Sequence, residues 1–417
     1  MKYQLKCLKS EDLIEDEYTL HYTENALLRA EYNEPFELHE DAEGVWKYLS
    51  WLPVSKANEY TAGTVTYKAE ALGDAMGLSN LWITFHGYWP EKGGLCPTGS
   101  FKDMEAVPTI QRMRDHNLNG LICASAGNTG RAFSHFCGLE GIPLIVVVGK
   151  KHAKRIWLRP ENLATSVRLV VVEDGDYADA KVVAKGLAAE LEGWQMEGSV
   201  HNVARRDGIG SLILDAAFTI GALPDHYFQG IGGGPGPIGV HEMAERSIQA
   251  GIFSGPVPRQ HVSQNLEHHP IHSAWQAKRD HLLPEDFSTE EVEVFSDYLL
   301  NKGPAYGQVG GVHDVLKASN GQTYIVSREE ARSAKALVES IEGIDIMTPG
   351  AVACGSLQQA LSTGEVNHDD CIVLNLSGGG TERLKNGMET RLLTPWLVAD
   401  KADAVQFVLA KLESESD

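Results

Sequence analysis

"CPTGSFKDM", residues 96–104, sets one lysine, Lys102, directly behind a turn of small residues. Ser100 is suited to cap a helix and Asp103 to sit near the positive end of its dipole, so the stretch reads as a helix start. Lys102 then has two readings, a solvated surface charge or a nucleophile. The sequence on either side decides between them.

Beyond the lysine, apolar runs alternate with amphipathic ones. Residues 103–116 read as a helix. "GLICAS" (120–125) reads as a buried strand ending in a loop, and residues 128–141 as a helix with Ala132, Phe133 and Phe136 on its apolar face. "PLIVVVG" (143–149) and "VRLVVVEDG" (167–175) are near-continuous apolar strands, the second followed by a helix over 178–191. "NLWITFHG" (80–87), "HYFQGIGGG" (226–234), "QTYIVS" (322–327) and "CIVLNLSGGG" (371–380) read as further strands. Continuous apolar strands alternating with helices indicate parallel sheets covered on both faces. Two blocks of the pattern predict an α/β fold with two open sheets and a cleft between them. Residues 1–50, with "YTLHY" and "LLRAEY", read as a small strand-rich appendage, and residues 251–310, richer in Pro, His and Asn, as irregular surface chain.

Composition removes several function classes. At 417 residues the chain is long enough for two domains with a large core. Its 42 glycines fall in short runs without a period, which marks binding loops rather than collagen or linker. A net charge of −21 argues against nucleic acid or an anionic membrane as partner, because both need a basic surface. No apolar run is long enough to span a bilayer, and the charged start "MKYQLKCLKSEDLIEDEY" lacks the apolar core of a signal peptide. The 6 cysteines show no CxxC spacing, so reduced thiols in a cytoplasm are expected. "EHHPIH" (267–272) offers His268, His269 and His272 but no HExxH-type arrangement, and no metal is expected there.

Three loops stand at strand ends: "SAGNTG" (125–130), "GIGGGPGPIG" (230–239) and "SGGGTER" (377–383). Ligands of open α/β sheets bind at the carboxyl ends of strands. A strand–glycine–helix loop presents free N–H groups and the positive end of the helix dipole, so it suits an anion. "GPGPIG" fits GxGxxG formally, but its two prolines remove donors that a dinucleotide phosphate would use. Two anion-accepting loops, a polar strand end and an isolated lysine in a small-residue turn together suggest a cofactor with a phosphate, an aldehyde and a ring nitrogen.

With "PTGSFKD", then "SAGNTG", then the glycine loop and a serine at the last strand end, the chain resembles the fold-type II pyridoxal-phosphate (PLP) enzymes, and within them the threonine synthase-like proteins. The resemblance runs through most of the chain. It implies the tryptophan synthase β-like fold, with a large domain over 51–102 and 205–417 and a smaller, substrate-closing domain over 103–204. It implies Lys102 as the Schiff-base lysine, Asn128 as the partner of the cofactor's 3′-oxygen, Gly232, Gly233, Gly234 and Gly236 as the phosphate loop, and Ser377 facing the pyridine nitrogen. A neutral hydroxyl at Ser377 leaves that nitrogen unprotonated, which favours elimination over a full carbanion sink. It also implies a homodimer. Many threonine synthase-like chains open with a zinc ribbon; here Cys7 stands alone with Ser10, His21 and Glu24 near the other ligand positions, which reads as a remnant without metal.

"FHGYWPEKGG" (85–94), "SFKDMEAVPT" (100–109), "GGGPGPIG" (232–239) and "LNLSGGGTERL" (374–384) are similar to the cysteate synthase branch of that family, whose members make L-cysteate from O-phospho-L-serine and sulfite for coenzyme M synthesis. On that reading Ser125, Ala126, Gly127 and Thr129 hold the substrate carboxylate at a helix N-terminus. Lys150, Lys151 and Arg155 in "GKKHAKRIW" (149–157) supply the positive charge that a leaving phosphate and an incoming sulfite need, with Arg205 and Arg206 as second candidates. Because Pro97-Thr98-Gly99-Ser100 is closer to ordinary threonine synthases, phosphohomoserine as substrate stays open, as does β-replacement by another nucleophile. A NAD-binding oxidoreductase would rest on "GPGPIG" alone.

Overall fold

Each of the seven apolar runs read as strands is a strand in the structure, a computed structural model that describes residues 2–159, 165–288 and 292–416. They sort into two sheets, and the chain into two compact units. The first unit comprises Met1–Pro53, Thr61–Glu105 and Val200–Arg383; the second comprises Val54–Tyr60, Ala106–Ser199 and Leu384–Asp417.

The first unit holds a six-stranded sheet in the order Gln322–Val326, Arg259–Asn265, His226–Gly230, Ile372–Leu376, Leu81–Phe85, Val65–Lys68. The first five strands are parallel and the last is antiparallel to its neighbour. Ile83, Phe85, Leu374 and Leu376 alternate into one core beneath the helix Thr348–Ser362. The strand Arg259–Asn265 lies inside the segment expected to be irregular. Its side chains are mostly polar, yet the strands flanking it hide it from water, and hydrogen bonds satisfy most of them, though not the Gln260 amide. His261 bonds His226 at 2.9 Å and Tyr324 at 2.8 Å, Gln264 accepts from the amides of Ile271 and His272, and Asn265 donates to the Ser296 carbonyl.

The appendage is a three-stranded antiparallel sheet with Tyr3–Cys7 between Leu13–Ile14 and Leu28–Tyr32; "YTLHY" is not a strand. Buried charges fasten it to the helices Val203–Ile220 and Pro235–Gln249. Tyr32 donates to Asp207 at 2.7 Å, Arg246 binds Asp207 and the Ala30 carbonyl, and Arg206 binds Glu242 and the Leu28 carbonyl.

The second unit is built on a wholly parallel five-stranded sheet, ordered Trp194–Met196, Gly120–Cys123, Leu144–Gly149, Val167–Val172, Pro395–Ala399. The continuous apolar runs are its buried central strands. Several boundaries differ from the expected ranges, and Val54–Tyr60 joins the second unit. The helix Lys102–Asp115 crosses from the first unit into the second after its opening turn. Residues 384–417, expected with the large domain, join the smaller sheet. Pro395–Ala399 extends it at one edge, and the helix Ala404–Ser416 sinks Ala404 and Val408 into the same core. A five-residue edge strand with one buried side chain carries little periodic signal.

Candidate active site

The lysine turn is braced from within. Gly99 adopts φ +79°, and Asp103 accepts hydrogen bonds from both the amide and the hydroxyl of Thr98. Asp103 therefore fastens the turn ahead of the helix instead of facing solvent. Phe101 N–H donates to the Ser377 carbonyl at 3.1 Å, and Gly379 N–H donates back to the Gly99 carbonyl at 3.0 Å. Gly378 and Gly379 are needed for this close pairing: a Cβ on Gly378 would lie 2.8 Å from the Gly99 oxygen. The loop is held on its other side by the hydrogen bond that the Met347 N–H donates to the Gly378 carbonyl. Lys102 and Ser377 thus share one small knot of backbone at the end of Ile372–Leu376.

The glycine loop leaves the neighbouring strand, His226–Gly230, which runs parallel to Ile372–Leu376. Gly234 caps the helix Pro235–Gln249 at φ +96°, and a Cβ there would lie 2.5 Å from Val312 Cγ2; one on Gly233 would lie 2.9 Å from Asn301 Nδ2. Gly232 and Gly236 are similarly hemmed, by the backbone of 298–299 and by the Gln229 amide. Bare backbone at the start of a helix of 15 residues is a ready anion cradle.

Unmet polar atoms mark the same region. Ser100 Oγ, Thr84 Oγ1 and both ring nitrogens of His86 are buried without a hydrogen-bond partner. Thr84 lies opposite Asn375 in the sheet, and the His86 amide donates to the Leu376 carbonyl at 3.0 Å. Burial pushes the His86 imidazole down to about 3, so it is neutral. Buried polar groups are usually satisfied, so Ser100, Thr84 and His86 are open to the polar atoms of a ligand such as the cofactor.

Lys102 does not point into water. Its ammonium lies 4.5 Å from the Phe101 ring and donates to Oε1 of Glu105, one turn along the helix. Glu105 is fully buried, and its Oε2 accepts from Nε of Arg205 at 2.6 Å and from Nη2 as well. Burial alone would raise the Glu105 carboxyl; Arg205 and Lys102 outweigh it and hold the group below its ordinary range. Sequence reasoning named Arg205 as an anion binder and passed over Glu105. Arg206 is tied to Glu242 at 3.0 Å and to the Val200 and Leu28 carbonyls, so its donors are engaged in structure.

The remaining expected residues belong to the second unit. Gly127 is the N-cap of the helix Asn128–Glu140, and its amide donates to Ser125 Oγ at 3.2 Å. Gly130 lets the loop fold back against the Ser125 carbonyl. Ser125, Ala126, Gly127, Asn128 and Thr129 therefore form a tight turn into a helix N-terminus. Lys150 is largely exposed and ion-paired with Glu173, so its charge is already matched; Lys151 and Arg155 are exposed on the same short helix, Lys150–Arg155. A basic group near the asparagine loop that sequence reasoning missed is Arg131. It is buried in the first turn of that helix, with its guanidinium 4.4 Å from the centre of the Trp157 ring and Lys385 Nζ 5.0 Å from the same ring. Two of the three histidines of "EHHPIH" are hydrogen-bonded within the fold: His268 meets Ser288 and the Asn301 carbonyl, and His272 meets Thr323.

The family model described as "Pyridoxal-phosphate dependent enzyme" matches residues 86–378. A relative from Methanosarcina barkeri named cysteate synthase is 44% identical over 407 residues, covering 96% of this chain and 97% of its own. Another of that name, from Methanosarcina acetivorans, is 43% identical over 409 residues, covering 96% and 98%. Among solved structures, maize serine racemase aligns with a TM-score of 0.60 at 17% identity, covering 85% of this chain and 94% of that one. A threonine deaminase from Solanum lycopersicum aligns with a TM-score of 0.57 at 14% identity, covering 78% and 87%. The fold is that of the type II enzymes and the cofactor is pyridoxal phosphate. With its lysine, serine and glycine loops in the family's order, this chain is a pyridoxal-phosphate dependent enzyme and belongs to the cysteate synthase family.

Proposed function

We propose that the enzyme replaces the phosphate of O-phospho-L-serine with sulfite, giving L-cysteate and phosphate, in the cytoplasm, as a homodimer and as a step toward coenzyme M. The observation that carries the reaction class is the backbone knot joining the Lys102 turn to Ser377, which holds a lysine and a serine hydroxyl at one strand end. The choice of substrate and nucleophile rests on the near-full-length likeness to cysteate synthases.

Bound pyridoxal phosphate supplies a sink for the electrons of the Cα–H bond, which lets a group leave Cβ. Gly232, Gly233, Gly234 and Gly236 bind its phosphate, Asn128 its 3′-oxygen, and Ser377 its ring nitrogen. Ser125, Ala126, Gly127 and Thr129 hold the substrate carboxylate. Lys102 Nζ takes the Cα proton and later returns it. Phosphate departs with the Cβ–O bonding pair, and a sulfur lone pair of sulfite makes the Cβ–S bond. Lys150, Lys151 and Arg155 draw the anions in, with Glu173 offsetting part of the Lys150 charge.

Phosphate release from O-phosphoserine, followed with and without sulfite, tests this reading. Sulfite-dependent formation of cysteate is expected. Sulfite-independent turnover of O-phosphohomoserine with water would overturn it in favour of threonine synthase, the reading that the Thr98-Gly99 turn favours.

A further inference from the structure

The trio Lys102, Glu105 and Arg205 has a charge arrangement that the reading above does not use. One carboxylate lies between two cations, with a separate oxygen for each; Glu105 and Arg205 are buried and the Lys102 side chain is 16% exposed. We propose that Glu105 and Arg205 are positioning residues that hold the Lys102 amine whenever it is off the cofactor and set the ease with which it gives up its proton. The proposal rests on Lys102 being the cofactor lysine.

The physical argument concerns net charge. A buried lysine–glutamate pair is neutral when the lysine is protonated, and removing the proton strands one negative charge in a low-dielectric place. That would lock the lysine as an ammonium, useless as a base. With Arg205 on the second oxygen the trio carries one net positive charge, and losing the Lys102 proton takes it to neutrality. Arg205 thus makes the free base accessible, while Glu105 keeps the amine one helical turn from its own Cα instead of adrift. Glu105 must stay ionised to do this, and its lowered carboxyl agrees.

At Glu105 the charges that act on the carboxyl are those of Arg205 and Lys102. Asp103, on the same helix, is turned back onto Thr98. His86, whose ring lies 6.1 Å from that of Phe101, is neutral. Arg206, beside Arg205 on its helix, faces Glu242. Position 105 reads in sequence as one more acid in a helix's first turn, a place where acids are favoured anyway. Burial to 0% and the partner one hundred residues away are what set it apart.

The test is the rate at which the apo protein regains its yellow lysine-linked cofactor band on adding PLP, measured from about pH 6 to about pH 10, because only the neutral amine attacks the aldehyde. Glu105→Gln is expected to move the midpoint down by about one pH unit or more, and Arg205→Gln to move it up by a similar amount. The double variant should return close to the wild-type midpoint. Arg205→Lys keeps the charge and should restore the midpoint; it also serves if Arg205→Gln does not fold. An unmoved midpoint in Glu105→Gln, or shifts of the same sign in both single variants, overturns the proposal and leaves the pair a structural brace. Lys102→Ala separates the two ideas: a band regained without Lys102 sinks the assignment of the lysine itself, whereas a lost band with unmoved midpoints sinks only the role of Glu105 and Arg205.

Discussion

Ser377 presents a nearly buried neutral hydroxyl where the ring nitrogen is expected, and its carbonyl is already committed to the Phe101 amide. On the proposed reading the identity of that side chain sets the electronics without altering the loop. Ser377→Asp would place a carboxylate there and favour the protonated ring. Phosphate release should fall by at least about tenfold, with a shifted cofactor absorbance and a larger share of proton exchange at Cα; an unchanged spectrum would remove Ser377 from the ring nitrogen. Lys102, Ser377 and the glycines were legible as residues because each is an oddity in its stretch: a cation in a small-residue turn, or bare backbone at a strand end. Glu105 was not, since nothing local separates a buried acid from a solvated one.

At the scale of elements, two features deserve numbers. The helix Pro235–Gln249 can present its N-terminus only because Gly234 sits at φ +96° with Val312 against it. Gly234→Ala should cost about 1–3 kcal/mol in strain and weaken PLP binding at least tenfold, read by absorbance titration and a thermal melt. The strand Arg259–Asn265 carries His261, whose imidazole is driven down to about 2, first by burial and then by His226 and Arg259. Its folded value lies below its unfolded value of about 6.5, so the stabilisation is complete above that pH and is lost as pH falls. Such a histidine adds a slope of about 1.4 kcal/mol per pH unit on acidification. Urea melts of His261→Gln between about pH 6.5 and about pH 5 should show a shallower loss of stability than wild type, and equal slopes would refute the assignment. This strand escaped sequence reading because its polar side chains break the apolar pattern, and the partners that make their burial possible come from other strands and loops.

For the whole molecule, the surprise is the destination of residues 384–417. The sheet edge at Val167–Val172 is covered by Pro395–Ala399, and Ala404 and Val408 complete the adjoining core. Deleting residues 394–417 should bare that edge, invite strand pairing between copies, and destabilise the smaller sheet before the larger one. Hydrogen exchange should show amides of 144–149 and 167–172 losing protection while those of 226–230 and 372–376 keep theirs; uniform loss would show that the two sheets unfold as one. The described residues include no helix long and apolar enough to cross a membrane.

The sequence by itself determined two open, mainly parallel sheets, the small-residue turn ahead of Lys102, and the turns at 125–130, 230–239 and 377–383 that stand at strand ends. Continuous apolar runs and glycine clusters are local properties: they fix which backbone can form and which strand ends must stay bare. The tertiary structure alone decided that Glu105 and Arg205 meet beside Lys102, that Lys150 is already paired, that a polar strand lies within the larger sheet, and that the C-terminal segment closes the smaller one. Each of these depends on where a distant charge or hydrogen-bond partner lands. In a low-dielectric interior that partner decides whether a carboxylate is a solvated ornament or a working charge, and no window of neighbouring residues contains it.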